Sequence, residues 1–188
     1  MSSALYGLTL RPEWQERVRA EVSRVMGSRP THEMTAEDLK AMTYTNCVWK
    51  EALRLWPAAV GTGRMSKADT TVGGYSIKKG CLIGPSFWSL HRNPYYWPRA
   101  DDFLPERWLP ENAAALGPKS PDAFMPFSVG PHACLGANLA NAEGPALIAG
   151  VIRQVAFTAK EGWEPEWVQT LTLSSKTGVQ LVPSRAPA

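Results

Sequence analysis

The sequence predicts a mainly α-helical fold with a small β-sheet, which places it in the α+β class. Three observations carry this prediction: apolar residues at helical spacing in the first third, short β-prone pieces after residue 58, and a helix-forming run after residue 134. The chain has 188 residues, which is enough for one hydrophobic core and short for two. We therefore interpret residues 1–188 as a single domain.

The first third of the chain carries two helical patterns. Apolar residues follow Pro12 at spacings of four, four and three, namely Trp14, Val18, Val22 and Val25. This pattern predicts an amphipathic helix with proline in its first turn. Thr35 and Asp38 resemble a helix start, although the reciprocal cap prefers Glu or Gln at the second position. A second helix is predicted from about residue 45 to 56, where Pro57 ends it.

The middle of the chain changes to "VGTGRM", "TTVGGYSI" and "CLIG", short β-prone pieces separated by glycines, and these predict a small sheet over residues 58–85. Residues 93–126 are rich in proline and aromatic residues with little periodicity. Long segments of this kind are usually functional or disordered.

The last third predicts one helix that starts near Cys134, followed by a hairpin. Gly144 and Pro145 predict a kink or break in that helix, because proline in a helix interior costs about 3 kcal/mol. In the tail, "VQTLTL" is predicted to pair with "GVQLVP" across "SSKT".

The composition excludes several functional classes. A net charge of +3 with scattered basic residues does not predict a nucleic-acid partner. The longest apolar run near the C-terminus is broken by Gly150 and stops at Arg153, so no membrane segment is predicted in this chain. The cysteines and histidines are too dispersed to predict a disulfide framework or a zinc site: Cys47, Cys81, Cys134, His32, His91 and His132.

Cys134 lies in "FSVGPHACLG", where Gly130 and Gly136 flank it. Glycine tolerates the conformations of a tight loop, so backbone amides can approach the sulfur closely. Those amides and the positive end of the following helix would stabilise a thiolate, as an anionic iron ligand requires. The alternative is a buried cysteine that acts as a small hydrophobic residue.

The spacing FxxGxxxCxG in residues 127–136 resembles the haem-binding loop of the cytochrome P-450 family of haem-thiolate monooxygenases. The matching residues are Phe127, Gly130, Cys134 and Gly136. Ala140 and Glu143 also match the family pattern, whereas Ser128 and His132 replace its commonest glycine and arginine. The resemblance implies that Cys134 binds the iron of haem b (iron protoporphyrin IX), that Phe127 shields the sulfur, and that His132 donates to a haem propionate.

Two further segments resemble the family in the same order. "KEALRLWP" supplies Glu51 and Arg54, which lie on one helix face, and "FLPERW" supplies Arg107. The resemblance implies a buried ion triad that fixes the irregular segment under the haem, and removal of one partner should then cost more than removal of all three. By itself ExxR is more often an exposed ion pair of little energetic value. The resemblance also implies that Arg64 is a second propionate ligand, with an ordinary surface arginine as the alternative. His91 is interpreted as a packing or capping residue.

The resemblance covers nearly all of this chain but only the C-terminal part of the family fold, so the single domain is a partial one. The family's distal helix, with an acidic residue beside threonine in a pattern like AGxDT, has no counterpart here, and no catalytic residue is assigned beyond the haem ligand. The implied activity is oxygen insertion into a lipophilic small molecule, with electrons from NADPH through a reductase, or from a ferredoxin. The isolated chain is expected to have little such activity.

Two other functions stay open, a non-enzymatic haem-binding module and a degenerate fragment that binds partners through exposed apolar faces. The insertion "LPENAAALGPKSPDAF" resembles the eukaryotic type and favours a full-length parent held on the endoplasmic reticulum membrane.

Overall fold

The computed structural model describes residues 1–187 and builds them from helices joined to short antiparallel strand pairs. The helices are α1 (Ser2–Thr9), α2 (Pro12–Met26), α3 (Ala36–Ala41), α4 (Thr43–Leu55), α5 (Phe87–His91), α6 (Ala113–Leu116) and α7 (Ala137–Ile152). Short 3-10 turns lie at Thr31–Glu33, Pro105–Trp108, Pro110–Asn112, Pro121–Ala123 and Gly130–His132. This architecture confirms the predicted α+β class.

The strands are β1 (Arg64–Met65), β2 (Thr70–Val72), β3 (Tyr75–Ile77), β4 (Leu82–Ile83), β5 (Val155–Ala159), β6 (Trp167–Gln169), β7 (Leu173–Ser175) and β8 (Leu181–Arg185). β1 pairs with β4, and β2 pairs with β3 between them. Residues 58–85 therefore form a small β region as predicted, built as two nested pairs of strands.

The C-terminal strands pair differently from the prediction. β6 turns back onto β7, so "VQTLTL" folds on itself, and β8 from "GVQLVP" pairs with β5. The predicted hairpin between the two segments is therefore wrong. β5 offers β8 five paired positions and has a half-buried first half, so it provides a longer and better covered partner than β6.

Helix α2 confirms the predicted amphipathic helix with Pro12 in its first turn. One face is buried through Trp14, Val18, Val22 and Met26. Beside them the buried Gln15 amide donates to the carbonyls of Leu8 at 3.1 Å and Phe157 at 2.9 Å, and its oxygen accepts the Phe157 N–H at 2.9 Å. Gln15 thereby joins α1, α2 and β5.

Helix α1 is not among the elements that the sequence predicts. It is short and has no side-chain cap, so its position depends on packing. A Cβ built at Gly7 would lie 2.6 Å from the Phe103 ring, so the glycine allows this ring to pack against the helix backbone.

The starts of α3 and α4 are fixed by two carboxylates. The Thr35 hydroxyl accepts the Asp38 N–H at 3.2 Å and the Asp38 carboxylate accepts the Thr35 N–H at 2.9 Å, so the predicted helix start is a reciprocal cap with aspartate in place of glutamate. Helix α4 has no side-chain cap of its own. Glu21 of α2 supplies one by accepting the N–H groups of Tyr44 and Thr45, both at 2.8 Å.

Helix α7 runs unbroken from Ala137 to Ile152 with Pro145 inside it, so of the predicted kink or break the break is wrong. The segment that contains the proline is buried against α4 and α2. A Cβ built at Gly144 would lie 2.5 Å from the Trp49 ring, so the glycine permits close packing of α7 on α4. This tertiary packing offsets the hydrogen bond that Pro145 cannot make.

The main hydrophobic cluster is formed by α1, α2, α4, α7 and residues 103–109, and a smaller one surrounds Trp97. Among the helices of residues 1–187, none combines the length and apolar character needed to cross a membrane. The main cluster contains buried residues of α4 and of the C-terminal half of α7.

Candidate functional site

Glu51, Arg54 and Arg107 meet in a buried ion cluster. All three side chains are fully buried, with 0% exposure. The Glu51 Oε1 atom lies 2.8 Å from Arg54 Nη2 and 2.9 Å from Arg107 Nε. Glu51 and Arg54 share one face of α4 because they are three residues apart, and Arg107 reaches them from the 3-10 turn Pro105–Trp108.

The Glu51 carboxylate also accepts two hydrogen bonds from outside the ion cluster. The backbone N–H of Leu104 donates to Oε1 at 2.9 Å, and the indole N–H of Trp108 donates to Oε2 at 2.9 Å. Trp108 is a functional residue that the sequence reasoning missed. Its position directly after Arg107 in "FLPERW" was the available signal.

The two arginines donate to six backbone carbonyls, those of His91, Ala100, Asp102, Pro98, Arg99 and Leu116. Four of these acceptors lie in the irregular residues 98–102, and the other two, His91 and Leu116, are the last residues of α5 and α6. Burial lowers the pKa of Arg107, while the Glu51 charge opposes that change. The ion cluster therefore orders residues 91–116 against α4.

His91 extends this network to the segment before Cys134. Its Nδ1 lies 3.2 Å from the Arg54 carbonyl, and its Nε2 accepts the Met125 N–H at 3.0 Å. Burial lowers the pKa of His91 to about 4, so the ring is neutral near pH 7. Since Nε2 accepts from an amide, the ring proton is assigned to Nδ1, which donates to the Arg54 carbonyl.

The loop 127–136 is held through its backbone while its side chains face outwards. The Cys134 N–H donates to the Phe127 carbonyl at 2.8 Å, and Ser128 and Gly130 turn the chain with φ of 60° and 74°. Phe127 is half-buried, whereas Cys134 is exposed. A Cβ built at Gly136 would lie 3.8 Å from the Cys134 sulfur, so this glycine leaves space beside the thiol at the start of α7.

The two predicted propionate ligands are also exposed. His132 lies in the 3-10 turn Gly130–His132. Arg64 lies on β1, where its guanidinium donates to the Thr62 hydroxyl and the Gly63 carbonyl, both at 2.9 Å. Within residues 1–187 no hydrogen bond or ion pair joins Arg64 to the loop 127–136. His132 thus lies two residues before Cys134 in the loop 127–136, and Arg64 is bonded to the two residues that precede β1.

The other two cysteines differ from Cys134 in their surroundings. Cys47 is buried in α4, and this burial raises the pKa of its thiol to about 11. Cys81 is exposed next to β4. Across the described residues 1–187 no three His, Cys, Asp or Glu side chains lie together in a way that could hold a metal ion. Cys134 is therefore an exposed thiol just before α7, without a second metal-ligating side chain grouped with it in the described residues.

Comparison with known proteins identifies the fold to which this site belongs. Residues 1–180 match the family described as Cytochrome P450. The chain belongs to the cytochrome P450 family. It is similar to mouse cytochrome P450 4V2, with 40% identity over 153 residues, which cover 80% of this chain and 28% of the mouse protein. Rat cytochrome P450 4B1 is 37% identical over 178 residues, which cover 94% of this chain and 34% of the rat protein.

A crystal structure of a cytochrome P450 (CYP102L1) superposes on this chain with a TM-score of 0.85 and 32% sequence identity. The superposition covers 98% of this chain and 41% of that one. The chain therefore spans well under half the length of the P450 proteins to which it is similar.

The residues of the loop fit the haem of the P450 family. A thiol is the ligand type that this class uses, and here it is exposed, beside a glycine, at the N-terminus of a helix whose dipole favours negative charge. The loop backbone already positions Cys134 through the hydrogen bond to Phe127.

Proposed function

We propose that this chain forms the thiolate side of a haem-thiolate monooxygenase, in which Cys134 would bind the iron of haem b. The exposure of the Cys134 thiol at the start of α7, in a loop whose backbone is fixed, is the observation that carries this proposal. When bound, haem b would supply oxygen activation with electrons delivered by a redox partner.

The chain's own residues would hold and orient the haem. Cys134 would bind the iron as a thiolate, because the thiolate is the form that binds metals. Phe127 would exclude water from one side of the sulfur, and Gly130 and Gly136 would let the loop backbone approach the haem closely. Arg64 and His132 would pair with the propionate carboxylates, for which the Arg64 guanidinium would exchange its present contacts with Thr62 and Gly63.

For the longer protein we propose oxygen insertion into a lipophilic small molecule, with electrons from NADPH through a reductase, or from a ferredoxin. The similarity to animal P450 proteins supports this activity. We also propose a parent bound to the endoplasmic reticulum membrane, because the insertion after Arg107 resembles the eukaryotic type. For the 188-residue chain by itself we propose haem binding with little coupled turnover, because none of its residues matches the acid and threonine of the family's distal helix.

The carbon monoxide difference spectrum of the haem-reconstituted, reduced chain tests the ligand. We expect a thiolate-type band that is lost in Cys134→Ala and kept in Cys81→Ala, which removes the other exposed cysteine. A band that survives in Cys134→Ala would contradict the assignment. Haem binding without a thiolate band would instead favour a non-enzymatic haem-binding module.

Turnover is tested separately with NADPH, a P450 reductase and an alkoxycoumarin probe. We expect product formation far below that of an intact P450 assayed under the same conditions. Equal product formation would show that the 188 residues contain a complete oxygen-activating site and would refute the proposal of low turnover.

A further inference from the structure

His91 lies between the ion cluster and the segment that leads into the loop 127–136. It is completely buried at the end of α5, with 0% exposure. One ring nitrogen contacts the carbonyl of Arg54, a member of the cluster, and the other accepts the Met125 N–H at 3.0 Å. Each of these contacts joins residues more than thirty positions apart, 37 for Arg54 and 34 for Met125.

From Met125 the contacts continue to the cysteine. The Met125 carbonyl accepts the Ser128 N–H at 3.1 Å, which closes the turn where Ser128 has positive φ. The Phe127 carbonyl, inside that turn, accepts the Cys134 N–H at 2.8 Å. Two backbone hydrogen bonds therefore connect the backbone position of Met125 to that of Cys134.

A second contact path supports the same connection. The Phe124 ring packs on the His91 ring at 5.5 Å between centroids and on the Trp108 ring at 4.6 Å. Trp108 in turn donates to Glu51. His91 is thus connected to the ion cluster directly through Arg54, and indirectly through the packing of Phe124 on Trp108.

We propose that His91 is a positioning residue for Cys134. Through the Met125 amide, His91 fixes the start of the loop 127–136, called the cysteine loop below, against the buried ion cluster. The inference concerns the loop backbone and stands on contacts within the chain. It rests on the proposed haem-thiolate function only for its spectroscopic readout.

The charges around His91 maintain this hydrogen-bond pattern near neutral pH. Arg54 faces the ring from α4 and Arg92 follows it at the end of α5, and both positive charges disfavour protonation. A neutral ring can donate from Nδ1 and accept at Nε2 at the same time, as both contacts require. A doubly protonated ring would lose the acceptor for Met125.

Two variants separate the two hydrogen bonds. An asparagine amide occupies the place of Nδ1, so His91→Asn keeps the Arg54 contact and loses the one to Met125. A glutamine amide reaches the place of Nε2, so His91→Gln keeps the Met125 contact and loses the one to Arg54. Both variants remove the ring, so they are matched for lost packing.

Amide hydrogen exchange followed residue by residue is the primary readout, with amides of α2 in the same sample as reference. Relative to that reference we expect the Met125 and Cys134 amides to exchange about fivefold faster in His91→Asn and near the unsubstituted rate in His91→Gln. Equal exchange rates in the two variants would overturn the proposal. Unfolding of both variants would also overturn it, because the ring would then support the whole core and not the loop.

The spectroscopic readout uses the haem-reconstituted, reduced protein. We expect a smaller fraction of the thiolate-type carbon monoxide band in His91→Asn than in His91→Gln, and the reverse order would contradict the proposal. If the unsubstituted chain shows no such band, the proposed function fails, and hydrogen exchange still decides the role of His91.

Discussion

The ion cluster and the cysteine loop are two regions of one fold that are held in opposite ways. In the ion cluster three charged side chains are fully buried, both arginines bond to Glu51, and all three side chains bond to backbone groups of this chain. In the loop the backbone is fixed by the hydrogen bond from Cys134 to Phe127, while the neighbouring apolar side chains face outwards, with Val129 61% and Leu135 103% exposed.

This difference separates the residues that order the chain from those that would bind the haem. Burying three charges carries a desolvation cost, so the value of the ion cluster lies in positioning, because it orders residues 91–116. The loop exposes its thiol and depends on the rest of the chain for its position. We therefore expect substitutions in the ion cluster to reduce stability and substitutions in the loop to alter ligand binding alone.

The largest effect is expected for Glu51→Ala. Arg54 and Arg107 would stay buried without their carboxylate, and two donors, the Leu104 amide and the Trp108 indole, would lose their acceptor. We expect the free energy of unfolding to fall by about 3–5 kcal/mol, measured by urea titration. A loss below about 1 kcal/mol would show that the ion cluster does not hold the fold.

A variant in which leucine replaces Glu51, Arg54 and Arg107 together removes all three buried charges. It tests the contribution of the whole ion cluster to the free energy of unfolding. The sequence motif alone predicts that this triple replacement costs less than a single one. The six backbone carbonyls that the arginines satisfy change this expectation, because an unsatisfied buried acceptor costs about 1–3 kcal/mol. We expect the triple variant to be no more stable than Glu51→Ala.

The next effect is a pH dependence that originates at His91. Burial lowers its pKa from 6.5 to about 4, so the unfolded chain binds a proton between these values that the folded chain does not. The contribution of neutral His91 to the free energy of unfolding is therefore fully present above about pH 6.5. It is lost as the pH falls towards 4, and the total loss is about 3 kcal/mol. Urea titrations at pH 7, 6 and 5 measure this loss.

His91→Gln is the control for this pH dependence, since glutamine does not titrate. The Asp38 carboxylate, whose pKa is lowered by the hydrogen bond from Arg29, is a separate acid-sensitive group whose contribution is lost only below about pH 3.8. An unchanged pH dependence in His91→Gln would assign the loss to other groups.

A smaller effect is expected at the contact between α4 and α7, which connects the two regions. In Gly144→Ala the new methyl group would meet the Trp49 ring, so we expect a loss of about 1–3 kcal/mol in unfolding free energy. The same substitution in a Trp49→Leu background should cost less, because the ring is gone. Additive effects in this double-mutant cycle would show that the ring and the glycine do not depend on each other.

The parts of the fold that the sequence predicts are those whose signal is local. Helix α2 is recognisable from its apolar spacing, and the start of α3 from Thr35 and Asp38. The pairing of β8 with β5 depends on a partner more than twenty residues away, so no short segment encodes it. Pro145 shows the same limit, because its local cost is outweighed by the packing of Gly144 on Trp49.

In the candidate site, too, the residues with a local sequence signal are predicted and the long-range contacts are not. Their spacing places Glu51 and Arg54 on one helix face, the resemblance to the P450 family adds Arg107, and the structure brings the three together. The contact of His91 with Met125 and that of Trp108 with Glu51 follow from no spacing, because they join segments that only the folded chain brings together.

The smallest effect is expected for Cys134→Ser in the chain without haem. The side chain is exposed, and the hydrogen bond from its backbone N–H to the Phe127 carbonyl does not depend on the sulfur. We expect the free energy of unfolding to change by less than about 0.5 kcal/mol, in contrast to the large loss in Glu51→Ala. Both variants are measured by urea titration under one set of conditions. A loss above about 1 kcal/mol in Cys134→Ser would show that the thiol contributes to the fold, and the separation between the stabilising ion cluster and the ligand-binding loop would no longer hold.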